Sequence, residues 1–250
     1  MNKYLVALKY DGTSFKGSQK QPDRRTVQGC FEEALQNIHK EFIQSEFASR
    51  TDSGVHATSQ VASFFSNKNL TEEKWVSSLN YYLPDDAKIS KCIRVDKDFD
   101  VRRDATEREY IYKIYHGQNF SPIDSRYFEY IDYDLETKSL SKAYKLFIGI
   151  HDFLSFSGRL VPSGVPTKRE IKSISHVENK DSLEFKISGK SFLYQQVRRM
   201  VGVFLLLMKG KITIQQISDA IEFPKKGTVN FLPSSKGLFL SKIKYENLII

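Results

Sequence analysis

The sequence ASRTDSGVHA, residues 48–57, places a cation, a hydroxyl group and a carboxylate directly before a glycine. Apolar segments flank it, with Ile43 and Phe47 before it and Val61 and Phe64 after it. A loop between two buried segments holds its charged side chains on a fixed backbone. Asp, Ser and Gly are also ordinary turn residues. Taken alone, the stretch therefore predicts either a solvated turn or a positioned carboxylate.

Length and charge narrow the possible partners. The chain has 250 residues, enough for one large domain or two small ones. Its 38 lysines and arginines against 30 aspartates and glutamates give a net charge of +8, which favours a polyanionic partner. A solvated basic surface without such a partner is the alternative. Pairs of basic residues recur along the chain: Arg24-Arg25, Arg102-Arg103, Lys168-Arg169, Arg198-Arg199 and Lys225-Lys226.

Several function classes lack a signature in this sequence. No window approaches the ~20 apolar residues of a membrane span, and the N-terminal pattern is that of a strand rather than a secretion signal. Cys30 and Cys92 lie far apart, which favours a reduced, cytoplasmic setting. Phosphate-loop, dinucleotide-binding, zinc-protease and paired-cysteine motifs are absent, and His56 and His151 stand alone. We therefore expect no cofactor and no metal.

The first hundred residues alternate between strand and helix patterns. Alternating side chains predict strands, and apolar residues at helical spacing predict amphipathic helices. The resulting order is strand, helix, two strands, helix, strand, which is the split βαβ or ferredoxin-like order. The predicted ranges are 3–10 (strand), 27–40 (helix, capped by Thr26), 46–65 (two strands around the quoted loop), 70–82 (helix) and 89–96 (strand).

The second half shows a similar mixture without any repeat in sequence. We place the boundary near Asp104, which gives halves of 1–104 and 105–250. The predicted fold class is α+β: two ferredoxin-like (RRM-like) halves that form a continuous, mainly antiparallel sheet, with helices on one side and a central basic cleft. The predicted ranges are 110–115, 171–177, 183–188 and 236–245 (strands), 139–148, 192–209 and 213–221 (helices) and 155–168 (loop).

Two groups in the second half allow both a functional and a structural interpretation. Tyr110 and Tyr112 share one face of a predicted strand, where aromatic rings either stack on a nucleobase or pack across the sheet. Arg198 lies near the start of an apolar helix, where a guanidinium group needs an anion, and Asp52 is a candidate. Arg199 fits a surface arginine on the polar side of that helix.

The quoted stretch resembles the active-site segment G-R-T-D-A-G-V-H of the TruA-type tRNA pseudouridine synthases (the tRNA pseudouridine synthase A family). Ser49 and Ser53 replace two other small residues of that segment. YDGTSFKGSQ resembles the opening Y-D-G-x-x-F/Y-x-G-W-Q, with Ser18 where the family usually has Trp. Three later stretches resemble family motifs in the same order: FDVRRDATEREYIY, FLYQQVRRMVGVF and KGLFLSKIKY.

The resemblance implies an isomerase that converts uridine in tRNA to pseudouridine, in the anticodon stem-loop at positions 38–40. It implies Asp52 as the nucleophile and a target base that is flipped out of its stem. It also implies substrate contacts from five residues. Tyr110 stacks on the uracil, Arg198 pairs with the catalytic carboxylate and Arg50 displaces the base or holds the backbone, while Arg102 and Leu240 complete the set. The expected partners are tRNA and a second copy of the chain in a homodimer.

Three alternatives remain open at this point. A paralogue acting on another tRNA uridine or on ribosomal RNA is one, because Ser18 departs from the family's Trp. An RNA-binding protein without catalysis is another, although mere binding has little use for an ordered carboxylate facing a polyanion. The third is a basic protein with no RNA role, whose binding to tRNA would not weaken as salt rises.

Overall fold

The computed structural model describes residues 1–133, 135–158, 164–246 and 248–250. These residues form an α+β protein, which confirms the predicted class. The strands are β1 (Asn2–Tyr10), β2 (Ser45–Phe47), β3 (His56–Ser66), β4 (Ala87–Val95), β5 (Ala105–Tyr115), β6 (Glu129–Tyr130), β7 (Gly149–Asp152), β8 (Lys168–Glu178), β9 (Ser182–Gly189) and β10 (Leu238–Tyr245). The helices are α1 (Val27–His39), α2 (Glu72–Tyr82), α3 (Leu140–Phe147), α4 (Gln196–Met208) and α5 (Ile214–Glu222).

The chain divides into two compact units. The first unit comprises Met1–Arg108 with Phe239–Ile250, and the second comprises Glu109–Leu238. The division predicted from the sequence, at residue 104, differs in that the last strand joins the first unit. The reason is a parallel pairing of β10 with β3, in which Phe239 lies opposite His56. A pairing between segments so distant in the chain leaves no local pattern from which to predict it.

The sheet of the first unit has the predicted ferredoxin-like arrangement. β1 lies between β4 and β3 and is antiparallel to both. β2 pairs antiparallel with β3, with Phe47 opposite Ala62. Because β2 and β3 are adjacent, the loop that joins them, residues 48–55, is held at both ends by the sheet.

Both helices of the first unit begin where the sequence predicts. The Thr26 side chain accepts a hydrogen bond from the Gly29 N–H, which confirms the predicted cap of α1. Thr71 caps α2 in the same way through the Lys74 N–H. The two helices pack against each other, and Trp75 of α2 is fully buried.

A buried carboxylate ties α1 to β2. Glu32 Oε1 accepts hydrogen bonds from the Ser45 N–H over 3.1 Å and from the Ser45 hydroxyl group over 3.0 Å. The Gln28 side chain donates to the same oxygen over 3.0 Å, and Lys20 Nζ lies 2.9 Å from the other oxygen. A carboxylate with this many donors is stable when buried, so the start of β2 is fixed on α1.

In the second unit the strands run in the order β5-β9-β8-β7, with β6 pairing in parallel with β5. The predicted pairing of the 171–177 and 183–188 strands is confirmed by β8 and β9. β6 and β7, with two and four residues, escaped prediction because they are too short to show a periodic pattern.

In the second unit, one predicted helix begins later than expected and one predicted loop is only partly described. The helix predicted over 192–209 begins only at Gln196, because Gln195 has a φ of 60° and the Leu193 N–H donates to the Gln196 side chain instead. The predicted loop 155–168 includes residues 159–163, which lie outside the described residues. None of the described helices is long and apolar enough to cross a membrane.

Candidate active site

Asp52 lies in the loop between β2 and β3. The Val55 N–H donates to the Asp52 carbonyl over 3.2 Å, so the segment is a tight turn, as its composition suggested. It is not a uniformly solvated turn, however. Arg50 and Ser53 are exposed, Asp52 is half-buried and Thr51 is buried. The predicted turn is therefore present, and its residues differ in how far they are exposed.

Thr51, the residue before Asp52, is held on three sides. Its N–H donates to Ser18 Oγ over 2.8 Å, and its carbonyl accepts from the Ser18 N–H over 3.1 Å. Its hydroxyl group lies 2.8 Å from the hydroxyl group of Tyr10. Ser18 is itself almost fully buried. Because backbone and side chain of Thr51 are both bonded, the backbone next to Asp52 has one defined position.

The segment YDGTSFKGS, residues 10–18, forms the cradle beneath the loop. A Cβ atom at Gly12 would lie 2.0 Å from the Val55 carbonyl oxygen, and one at Gly17 would lie 2.9 Å from the Thr51 carbonyl oxygen. The Phe15 carbonyl accepts from the Gly54 N–H over 3.3 Å. Backbone approaches this close admit only glycine, so the two glycines of this motif serve the Asp52 loop.

The start of the loop is held by side chains that the sequence did not single out. Gln60 of β3 exchanges hydrogen bonds with the backbone of Ser49, donating to its carbonyl over 2.8 Å and accepting from its N–H over 3.2 Å. Arg108 is buried and donates to the carbonyls of Ala48 and Arg102 over 2.9 and 2.8 Å. Arg108 and Arg102 lie in the quoted stretch FDVRRDATEREYIY, but Ala48 is distant in the chain.

The end of the loop is held by a buried histidine. His56 Nδ1 lies 3.0 Å from the Gly12 N–H and 3.1 Å from Asp11 Oδ1. In the neutral ring Nδ1 accepts from Gly12, whereas in the charged ring it donates to Asp11. The ring stacks on Phe239 with centroids 4.6 Å apart. Leu240, one residue further along β10, is fully buried. These contacts give His56 a structural role, which accounts for its position.

Tyr110 and Tyr112 of β5 are buried in the second unit. The Tyr112 hydroxyl group donates to the Ser234 carbonyl over 2.8 Å, and burial raises the pKa of this phenol well above its usual range. The ring of Tyr110 meets Phe192 edge-on, with centroids 5.3 Å apart. Tyr112 thus has the structural role that strand tyrosines usually have, whereas Tyr110 retains both interpretations.

Arg198 and Arg199 both bind carbonyl groups of the segment after α5. The Arg198 Nε and Nη2 groups donate to the Pro233 carbonyl over 3.0 and 2.6 Å. Arg199 is buried and donates to the Val229 carbonyl, so the interpretation of Arg199 as a surface arginine is wrong. The Arg199 guanidinium group thus supplies the hydrogen-bond donor that this backbone carbonyl needs.

Glu129 is a second carboxyl group of interest, because it interacts electrostatically with Arg198. Burial raises the pKa of the Glu129 carboxyl group, and Lys236, the Ser234 N–H and Arg198 oppose that rise. Sequence reasoning missed Glu129, because its two-residue strand gives no pattern.

The candidate residues are therefore distributed over both units. Asp52, Arg50, Arg102 and Leu240 belong to the first unit, and Tyr110 and Arg198 belong to the second. Arg50 and Arg102 line one pocket of the first unit. The first unit thus supplies a half-buried carboxylate on a well-held backbone, with an exposed arginine two residues before it. An ionised carboxylate is chemically able to act as a nucleophile.

Comparison with known proteins gives consistent matches. A family model described as tRNA pseudouridine synthase matches residues 6–104 and 143–246. The tRNA pseudouridine synthase A 2 of Bacillus cereus (strain ZK / E33L) is 32% identical over 246 residues, covering 98% of this chain and 100% of that protein. The tRNA pseudouridine synthase A of Staphylococcus aureus (strain MRSA252) is 34% identical over 240 residues, covering 96% of this chain and 90% of that protein.

Among solved structures, a chain from the crystal structure of a Cbf5-Nop10-Gar1 complex aligns with a TM-score of 0.36 and 12% identity. The alignment covers 83% of this chain and 54% of that chain, and a likeness at this score supports no inference. The residues matched by the family model include Asp52, Arg50, Arg102, Arg198 and Leu240, while Tyr110 lies between the two matched segments.

Proposed function

This chain belongs to the tRNA pseudouridine synthase family and is an isomerase, and from that premise we propose that it converts uridines in the anticodon stem-loop of tRNA to pseudouridine with Asp52 as nucleophile. The observation that carries the proposal is the fixed position of Asp52. Its neighbour Thr51 is bonded through both backbone groups and its hydroxyl group. A nucleophile held in one place needs no ordering during the reaction.

The reaction balances without an added reactant. The N1–C1′ bond of uridine breaks, the uracil turns, and a new bond joins C5 to C1′. The proton lost from C5 is matched by the proton gained at N1, so there is no oxidation and no net hydrolysis. The carboxylate of Asp52 adds to C6 of the ring or to C1′ of the ribose and leaves again when the product forms.

Other residues of the first unit have proposed roles toward the RNA. Arg50 is exposed two residues before Asp52, where its planar guanidinium group can replace the extruded base or bind the backbone phosphate. Flipping the base costs a few kcal/mol, which RNA contacts must offset. Leu240 is fully buried opposite Ala57 of β3, and its proposed role is that of an apolar wall of the site. Arg102 contributes a second cation.

The roles of Tyr110 and Arg198 rest on the motif resemblance. Tyr110 is proposed to stack on the uracil, and Arg198 to stabilise an anionic group of the site. The +8 net charge supports recognition of tRNA through its phosphates and shape. A homodimer that places one RNA against both copies is proposed from the family, and the reduced cysteines suit a cytoplasmic enzyme.

The test is a pseudouridine map of unmodified tRNA transcripts incubated with the purified protein and a chelator. The wild type is compared with Asp52→Asn and with Asp23→Asn, an exposed aspartate of the same unit. We expect product with the wild type and Asp23→Asn, and none with Asp52→Asn, while all three bind RNA within a few-fold. Turnover by Asp52→Asn at the wild-type rate would end the proposal for Asp52. A modified uridine outside the anticodon stem-loop would support the paralogue instead.

A further inference from the structure

A pocket of about 290 Å³ opens in the first unit beside the Asp52 loop. Ser18 and Arg50 line it on the side of the loop, and Arg102 lines it from the segment before β5. Arg50, two residues before Asp52, lines the pocket, whereas Asp52 is not among its lining residues. We propose that this pocket binds a second, unpaired nucleotide of the RNA substrate, with the base inside and the phosphate at the two arginines.

This inference rests on the proposed function, because it takes the polyanion to be RNA. Extruding a target base removes the stacking partner of its neighbours, so an adjacent nucleotide gains by finding another contact. The volume of the pocket is at the small end of the range for ligand sites, about 300–1,000 Å³. It suits one nucleotide rather than a longer segment.

One wall of the pocket is polar and fixed before any ligand binds. The Gln28 side chain donates to the Ser45 carbonyl over 3.0 Å, and its oxygen accepts from the Lys20 N–H over 3.1 Å. The buried Glu32 holds both Gln28 and Ser45 in place. Gln44, at the rim, is exposed. The Gln44 amide offers both donors and an acceptor, which the edges of a nucleobase require.

Two guanidinium groups line the pocket and are the groups that would bind a phosphate at its rim. Two carboxylates line it, and both already have partners. Asp100 accepts from two backbone N–H groups over 2.9 and 2.8 Å, and Glu46 lies 3.9 Å from Lys3 Nζ. Arg50 is exposed, and Arg102 is held at the pocket by the 3.4 Å contact of its Nη2 with a backbone carbonyl. Guanidinium groups bind phosphate through paired hydrogen bonds.

The small side chain at position 18 leaves the pocket open. The Ser18 hydroxyl group is bonded to the Thr51 N–H, and Phe47 and Val101 lie behind the pocket wall as buried residues. The motif that this segment resembles has a tryptophan at this position, and an indole ring there would occupy the space. Ser18 is thus both a departure from the motif and a lining residue of the pocket.

The test uses the whole protein and short RNAs that carry the uridine modified by the wild type. In each RNA one nucleotide near that uridine is made abasic, and dissociation constants are measured by fluorescence anisotropy for the wild type, Ser18→Trp and Ser18→Ala. We expect one abasic position to weaken wild-type binding about tenfold, the effect of losing the contacts of one base. Ser18→Trp is designed to fill the pocket. We expect it to raise the dissociation constant of intact RNA and to remove the difference between intact and abasic RNA, which is the abasic penalty. Ser18→Ala keeps the penalty.

Gln44→Trp blocks the pocket from its exposed rim and preserves the test where Ser18→Trp does not fold. Abasic penalties that are equal in the wild type and in the tryptophan variants would overturn the inference. Pseudouridine formation on intact RNA is measured in parallel. If the wild type forms pseudouridine but the tryptophan variants show the same abasic effect as the wild type, only the role of the pocket is refuted. If the wild type forms no pseudouridine on any transcript, the proposed function is refuted and the inference with it.

Discussion

Ser18 and Thr51 are joined by two reciprocal hydrogen bonds, one from the Thr51 N–H to Ser18 Oγ over 2.8 Å and one from the Ser18 N–H to the Thr51 carbonyl over 3.1 Å. Thirty-three residues separate them in the chain, so the bonds connect the N-terminal segment directly to the proposed catalytic loop. The backbone bond needs no particular side chain at position 18. The other bond depends on the hydroxyl group, which gives Ser18 a positioning role that tryptophan does not have.

The first prediction concerns that hydroxyl group. Ser18→Ala leaves the buried Thr51 N–H without its acceptor, at a cost of about 1–3 kcal/mol. We expect kcat to fall about tenfold because the backbone beside Asp52 is less well held, with KM for RNA within about twofold. Single-turnover kinetics on a tRNA transcript measure this. Ser14→Ala, an exposed serine of the same segment, is the control and retains the wild-type rate. A kcat for Ser18→Ala equal to that control would refute the positioning role.

The second prediction separates backbone conformation from close packing. Gly17 has a φ of 94° and faces the Thr51 carbonyl, whereas Gly210 has a φ of 66° and open space, with no atom within 4 Å of where a Cβ would lie. Gly210→Ala therefore incurs only the conformational cost of about 1 kcal/mol. We expect Gly17→Ala to lower the free energy of unfolding by about 1–2 kcal/mol more, because the Thr51 carbonyl must also move. Urea denaturation measures both, and equal losses would contradict the contact.

The fold of the first unit was predictable because its helices carry strong local signals. The Thr26 and Thr71 caps and the apolar stripes of α1 and α2 lie within single segments. The partner of β10 was not predictable, because the pairing of Phe239 with His56 joins segments that are far apart in the chain. Local patterns specify elements, whereas such pairings depend on the complete structure.

The candidate site likewise contains residues that the sequence identified and residues that it did not. Asp52 and the departure at Ser18 were visible in the motif itself. Gln60 and Arg108 were not identified, because a strand glutamine and a strand arginine look like ordinary surface residues until their partners at Ser49 and Ala48 are known. Their burial is the property that distinguishes them, and residue identity alone does not report it.

The third prediction concerns Arg108. Its guanidinium group satisfies the Ala48 and Arg102 carbonyls inside the first unit. Arg108→Met removes both donors, and we expect the free energy of unfolding to fall by about 2–4 kcal/mol. Arg103→Met is the matched control, since the Arg103 side chain is 70% exposed and its ion pair with Asp104 contributes little. Chemical denaturation of the two variants side by side provides the measurement. A loss no larger than that of the control would show that Arg108 does not hold the loop.

The last prediction follows from the pKa of Glu129, which burial raises despite Lys236 and Arg198. A carboxyl group whose pKa is raised in the folded state favours the protonated form there. Its contribution to stability is therefore full below its ordinary pKa and is lost as the pH rises through the raised folded value. Glu129→Gln resembles the protonated group, so its free energy of unfolding relative to the wild type increases from about pH 4 to about pH 7. Denaturation curves at both pH values measure this, with the exposed Glu136→Gln as control. If the difference between Glu129→Gln and the wild type were the same at both pH values, burial would not control the titration of Glu129.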